Sequence, residues 1–574
     1  MRRPAAIKRI PLPPGERRDA VRSLVEREVG LHRFLNQNSK RVTLLYGVHL
    51  DGNDAVFTAM ERCGESLSQW LSNAPDGDVA NLNPKERVDA GYAIVSAVAD
   101  VHAANVVHND VKPDNCLRAS TGEFKLADLG LGVRMKAADS GGKTSGRYSM
   151  TTFAGYGVNV QMTGRPPEVL QGDALTTAVD VWSLGSLVYT TLTGHPSPYA
   201  ESAGHNNKGG LHTNPGASQS PDTIAGLYEN QRIIKGAFNL NALETAKLPR
   251  HVVAAARHVV HDMLQPDPRD RPTAEAVRDH PLFWTTERCV EAVRDVYDAR
   301  ILNDLAPEEE AAIVAEAWGL GRKESIGRRA ARSLQGWKDQ IVPELRRRLV
   351  TRQRALQEAG GAATQAAAAA GDGSSSDASA PVVSQATNGT RGAPRGGAHL
   401  GGKKTVKENG VTPSGDGSSS DDGTGYESSI RDLFRLWRNL HEHPPLDINR
   451  GDRTKHAMVK SMGSMGALVP QLRDEDPWSQ ARRVVEGYLT HAFPELPIIA
   501  KYLLDNRERI ERLKARRGDI PIVALGKDAT QQGGSGSGGA VGRGQGQQRP
   551  GSQQQRGGSS QQQKQRGRKQ RGKK

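Results

Sequence analysis

The chain has 574 residues, room for about two to four domains, yet only 36% of it is hydrophobic, which excludes a wholly globular fold and leaves part of it without a core. Its net charge of +14 suits a polyanionic partner such as RNA, or only a solubilising surface. The three distant cysteines, Cys63, Cys116 and Cys289, exclude a disulfide framework; no apolar run nears the ~18 residues of a membrane span, so no membrane contact is expected from this chain as given, and no signal peptide follows Met1-Arg2-Arg3.

In chain order, 21–35 has apolar residues at helical spacing, Val56-Phe57-Thr58-Ala59-Met60 reads as a buried strand, and 82–105 as a long helix. That helix leads into HNDVKPDNCLRASTGEFKLADLG, residues 108–130. An Asp, a Lys two residues on, an Asn three further and then Asp-Leu-Gly form an ordered set. Phosphoryl transfer needs a carboxylate to orient the attacking hydroxyl, a cation on the migrating phosphate and oxygen ligands for magnesium. Asp110, Lys112, Asn115 and Asp128 meet those needs in turn. Asn115 coordinates without adding charge.

The order resembles the protein-kinase catalytic loop followed by D-F-G. The resemblance implies a bilobal α+β kinase fold that uses ATP or ADP and Mg2+, with Asn115 and Asp128 as metal ligands. Ala5-Ala6-Ile7-Lys8 then resembles the strand whose Lys contacts nucleotide phosphates, with Glu28 as its ion-pair partner and Glu26 as the substitute. Met60 would border the base, and the backbone of Glu61 and Cys63 would face the adenine. Only seven residues precede Lys8, so the first strands and the glycine loop are expected to be missing from the small lobe. Asn109 stands where the family has an Arg that pairs with a phosphorylated activation segment. Phosphate control through that pocket is therefore not expected, although Thr144, Ser145, Ser149, Thr151 and Thr152 are candidate acceptors or simply a polar loop. Pro166-Pro167-Glu168 resembles A-P-E, its Glu pairing with Arg271, and Asp180 would brace the catalytic loop. Residues 200–220 read as a loop insertion.

His280-Pro281-Leu282-Phe283-Trp284 closes this lobe, and helical patterns at 286–302, 307–318 and 325–357 follow without a linker. Residues 359–425 are rich in Ala, Gly, Ser and Asp and are expected to be disordered. Order returns with YESSIRDLFRLWRNLHEHPP, then Tyr488-Leu489-Thr490-His491-Ala492-Phe493-Pro494. On a helix Asn439 and His443 share a face and Arg438 lies one step round. Metal-free RNA cleavage through the 2′-hydroxyl needs a proton acceptor, a proton donor and a cation for the phosphate. His443 is the natural donor, near a helix carboxyl end that favours imidazolium. Arg438 would stabilise the phosphorane and Asn439 orient the phosphate.

A kinase fold followed by R-D-L-x-R-x-x-R-N-x-x-x-H and Y-x-T-x-x-F-P resembles the family of the inositol-requiring unfolded-protein sensor and ribonuclease L. The resemblance implies a nuclease extension, all α, that cuts RNA without metal or other cofactor once the kinase part binds nucleotide and forms a homodimer or higher oligomer. It places Tyr426 at the tyrosine that helps activate the 2′-hydroxyl, one residue short of the usual spacing to Arg431, and leaves His441 as bystander or substitute. Arg431 and Asp432 read as a structural or dimer-face ion pair.

The expected organisation is a kinase domain at 1–285, the first part of the extension at 286–357, a disordered insertion at 358–425, the second part at 426–515 and a disordered basic tail at 528–574. The tail suits RNA attachment or nuclear import. The expected function is a nucleotide-regulated, dimerisation-activated endoribonuclease with a Ser/Thr kinase that has itself as a candidate protein substrate. The alternatives are a kinase whose extension only docks and a pseudokinase RNA-binding scaffold. Sensor relatives carry a lumenal domain and one span upstream. The expected place is therefore the endoplasmic-reticulum membrane if the start is incomplete, otherwise the cytoplasm.

Overall fold

The computed structural model describes residues 4–15, 17–52, 54–135, 165–173, 175–200, 224–317, 334, 337–351, 353–355, 429–444, 453–462 and 476–515. Tyr426, the insertion at 358–425, the tail at 528–574, the five candidate phosphate acceptors and nearly all of 200–220 lie outside the described residues.

The small lobe holds strands β1 (Ala5–Pro11), β2 (Leu45–Asp51) and β3 (Ala55–Glu61) in an antiparallel sheet of order β1-β3-β2. Register places Lys8 opposite Thr58. Helix α1 (Arg17–Asn38) lies between β1 and β2 in the chain. Its Val25 joins a small cluster with Leu12 and Val56. Leu31 and Leu35, one turn apart on the same face, enter the core of the large lobe instead. This helix therefore joins the two lobes, and Glu28 rides between the two contacts.

The large lobe is built on helix α2 (Pro84–Ala103). Asn83 caps it by accepting from the Lys85 N–H, and Pro84 fills the first helical position, where no amide hydrogen is needed. Ile94, Val95, Val98 and Val101 are fully buried against helix α3 (Ala178–Thr193) and their neighbours. Helix α3 stops at Gly194, φ +77, where a Cβ would sit 2.8 Å from Val79, so glycine is needed twice over. Two short ladders present the loop between the lobes. Strand β4 (Val106–Val107) pairs with β7 (Val133–Arg134), and β5 (Cys116–Arg118) with β6 (Phe124–Leu126). Helix α4 (Arg250–Met263) covers the far side of α3.

A helical extension follows immediately. Thr285, the residue after Trp284, accepts from the Arg288 N–H and caps α5 (Thr286–Asp298). Then come α6 (Pro307–Ala317), α7 (Ile430–Glu442), α8 (Pro477–Ala492), α9 (Leu496–Asp505) and α10 (Arg507–Ala515). They share a second core around Val293, Trp337, Phe434, Trp437, Tyr488 and Phe493. The Trp337 indole N–H donates to the Ser429 carbonyl at 3.2 Å, tying the chain before the insertion to the start of α7. The helix expected over 325–357 is interrupted at 341–342, because Pro343 has no amide hydrogen and enforces an extended predecessor. The Val342 N–H freed there donates to the buried Tyr488 hydroxyl at 2.9 Å.

The two cores meet without a spacer. Ile498 of α9 belongs to the large-lobe core, and Lys501 pairs with Asp279. Among the described residues no helix is long and apolar enough to cross a membrane.

Candidate active sites

The interlobe cleft brings together residues from five places in the chain. Lys8 Nζ donates to Glu28 Oε1 at 3.1 Å and lies 3.7 Å from Asp128 Oδ1. Burial works against the ammonium charge, but Glu28 and then Asp128 outweigh it and raise the Lys8 pKa. Glu26 pairs with Arg22 on the exposed side of α1 and is not in the cleft. On the opposite wall the Asp110 carboxylate accepts from Lys112 Nζ at 2.9 Å and from Asn115 Nδ2 at 2.8 Å, both on Oδ2. Burial pushes the Asp110 carboxyl up, but Lys112, Arg165 and Asn115 hold it below the usual carboxylate range.

Asn115 spends its amide nitrogen on Asp110, leaving its oxygen as the donor that a hard cation would take. Asp128 enters beside it because the Ala127 N–H donates to the Asn115 carbonyl at 2.8 Å, and Asp128 itself adopts φ +60. An amide oxygen and a carboxylate are the hard oxygen donors that Mg2+ takes, and Asn115 and Asp128 would hold it.

Glu61 and Cys63 lie where β3 leaves the small lobe. The Glu61 side chain is held by Lys125 Nζ at 2.8 and 3.0 Å, and its N–H donates to the Leu44 carbonyl at 2.7 Å. Burial, then Glu61, raises the pKa of the half-buried Cys63 thiol.

Behind the cleft, Asp180 accepts from the N–H groups of His108 and Asn109, each at 2.7 Å, and from His102 Nε2 at 2.9 Å. Glu168 and Arg271 form a buried two-pronged pair at 2.6 and 2.8 Å. Sequence reasoning missed Arg165. Its Nη1 donates to the Asn109 carbonyl at 2.6 Å, and its Nη2 lies 3.4 Å from Asp110 Oδ1. The only signal was the missing arginine at 109 with another arginine two residues before Pro167.

The second candidate site is the carboxyl end of α7. Ser429 caps its start by accepting from the Asp432 N–H at 3.1 Å. Leu433, Phe434, Leu436, Trp437 and Leu440 bury one face, which turns Arg438 and Asn439 toward the edge of the core. Arg438 Nη1 donates to Asn439 Oδ1 at 3.3 Å, and exposed His443 follows one turn on, its N–H donating to the Asn439 carbonyl at 3.0 Å. The Arg438 guanidinium also lies 3.1 Å from Glu442, 3.6 Å from Asp298, and 5.7 Å from the Tyr297 ring centre. Asp298 and Tyr297 come from α5 and carried no sequence signal.

His441 is buried against α8, 3.0 Å from Glu486 Oε1 and 3.3 Å from Arg482 Nη2, so it is out of a substrate's reach and no substitute for His443. Arg431 and Asp432 are not paired with each other. Arg431 lies 3.7 Å from Glu310 and Asp432 3.2 Å from Arg435.

The fold and cleft are those of a protein kinase, and residues 1–283 match the family described as protein kinase domain. Two similar proteins are the serine/threonine-protein kinase/endoribonucleases IRE1 of Oryza sativa subsp. japonica, 27% identical over 274 residues, and IRE2 of Homo sapiens, 29% identical over 282 residues. These matches cover 45% and 48% of this chain and 26% of each relative, so the chain spans about a quarter of their length. The Aurora kinase of Schizosaccharomyces pombe is 27% identical over 268 residues, 46% of this chain and 61% of the relative. Residues 1–283 are thus a protein kinase domain, and over that part the chain is similar to the kinase/endoribonucleases.

Proposed function

We propose that the protein is a nucleotide-regulated endoribonuclease, activated by self-association, whose kinase domain binds ATP with Mg2+ and transfers phosphate to Ser or Thr. The observation that carries this reading is the grouping of Arg438, Asn439 and exposed His443 at one end of α7, in an extension packed directly on the kinase lobe. In the cleft, Lys8 holds nucleotide phosphates, Asp110 orients the attacking hydroxyl and Lys112 steadies the phosphate in flight. Bound Mg2+ neutralises phosphate charge when present. At α7 the 2′-oxygen bonds to phosphorus as the bond to the 5′-oxygen breaks. Tyr426 helps take the 2′-proton, His443 supplies one to the departing oxygen, and Arg438 balances the charge gathered on the phosphate. No step needs a metal. Pairing of two copies makes the activity rise with protein concentration.

The second reading, a kinase whose extension only docks, is favoured by one observation. Asp298 and Glu442 already partner Arg438 and compete with a phosphate for it. Incubating the purified chain with an RNA hairpin in EDTA separates the two. The nuclease reading expects cleavage that falls about 100-fold or more in His443→Ala. Cleavage that survives the substitution removes His443 from the site, and no cleavage at all leaves the docking kinase. Transfer of labelled phosphate that is lost in Asp128→Ala identifies a working kinase in either case.

A further inference from the structure

The catalytic loop has a neutral residue where a cation is expected, and a buried cation arrives from elsewhere. Asn109 sits between His108 and Asp110 with φ +61, a left-handed conformation that asparagine accepts more readily than most residues. Its peptide groups are gripped from two sides. Asp180 Oδ1 takes its N–H at 2.7 Å, and Arg165 Nη1 gives to its carbonyl at 2.6 Å. The other arm of Arg165 reaches Asp110 Oδ1 at 3.4 Å. Asp110 Oδ2 is already taken by Lys112 and Asn115, so each carboxylate oxygen has its own assigned cation or amide.

The base from which Arg165 reaches is itself rigid. Pro166 and Pro167 follow it, and the next residue, Glu168, is bolted to buried Arg271. Arg165 is only 8% exposed, and its guanidinium cannot shed its charge. Buried arginine without a task is costly, and the one arranged here spans the backbone and side chain of consecutive loop residues.

We propose that Arg165 is a positioning residue that takes over the role of the absent loop arginine, holding Asp110 toward the incoming hydroxyl without any phosphate on the segment before it. The inference rests on the kinase reading above and adds a residue and a mode of control to it. Relocating the cation from the loop to the residue before Pro166 makes the brace part of the chain itself.

The test uses the full chain and the variants Arg165→Met and Arg165→Lys, with two readouts. Steady-state phosphotransfer with Mg-ATP is expected to lose about 10- to 100-fold in kcat in Arg165→Met, with KM for ATP within about twofold, because a misplaced group costs chemistry and not binding. Arg165→Lys keeps the charge but not the fork, so it should recover only part of that rate. Amide hydrogen exchange over residues 108–115 is expected to quicken in Arg165→Met and much less in Arg165→Lys. Phosphatase treatment of the wild-type chain should change its rate by less than about twofold.

A kcat in Arg165→Met within about twofold of wild type, or unchanged exchange, overturns the proposal. So does a rate that collapses on phosphatase treatment. If Arg165→Met unfolds, the lysine variant decides: a partial fall in kcat with KM for ATP held, and quickened exchange over residues 108–115, uphold the brace, and a rate and exchange like those of wild type overturn it. If wild type transfers no phosphate, the kinase reading fails by itself, while the exchange comparison still upholds or removes the brace.

Discussion

Glu168 shows what one residue contributes when its partner is buried. Arg271 is completely shielded, and its fork is filled by the two Glu168 oxygens. Removing the carboxylate leaves an uncompensated interior charge, so Glu168→Ala should cost about 3–5 kcal/mol in urea unfolding. A loss below about 1 kcal/mol would mean that water reaches Arg271. The grouping of Asp110, Lys112 and Asn115, and the approach of Asp128 to Lys8, were expected from the order of those residue types along one stretch of chain. Arg165 and Asp298 were not, because each reaches its target through the fold and from a distant stretch. Periodicity carries no record of such contacts. His441 and His443 look alike in the sequence, and only the packing of α8 separates a buried hydrogen-bonded ring from an exposed one.

At the level of elements, the helices were legible where apolar spacing and a cap coincide. Helices α2 and α7 begin one residue after Asn83 and Ser429, as side-chain caps require. The interruption at 341–342 shows the limit: the apolar pattern ran on through it while Pro343 broke the hydrogen-bond ladder. Trp337 is the element-level link across the insertion, fully buried and bonded to the Ser429 carbonyl. Trp337→Ala should cost about 3–5 kcal/mol from the cavity alone, read by chemical denaturation. It should also raise amide exchange at the start of α7. Unchanged exchange there would show that Ser429 positions α7 without the indole.

Across the whole molecule, the lobe and the extension are joined by polar contacts as well as by Ile498. The Leu282 N–H donates to His280 Nδ1 at 3.1 Å, His280 Nε2 meets His258 Nδ1 at 3.1 Å, and His258 Nε2 meets the Ala317 carbonyl of α6 at 3.2 Å. Asp262 lies 3.9 Å from His258. Backbone groups at both ends fix the direction of this chain, which has no place for an added proton on His280 Nδ1. Burial, then His258 and Lys501, hold the His280 pKa well below its ordinary value. The unfolded chain takes up that proton near pH 6.5 and the folded one does not. The contribution is therefore fully present above about pH 6.5 and is lost as pH falls toward the lower folded value. The melting temperature should drop between pH 7.5 and 5.5, and drop less in His280→Gln, which cannot titrate. Equal drops in both proteins would remove His280 from the acid response.

Ile498 is the feature with the longest reach. A side chain carried by the appended helices is buried in the core of the large lobe, so the two cores are joined at α9. Through α9 the large-lobe core is continuous in packing with the core that holds α7.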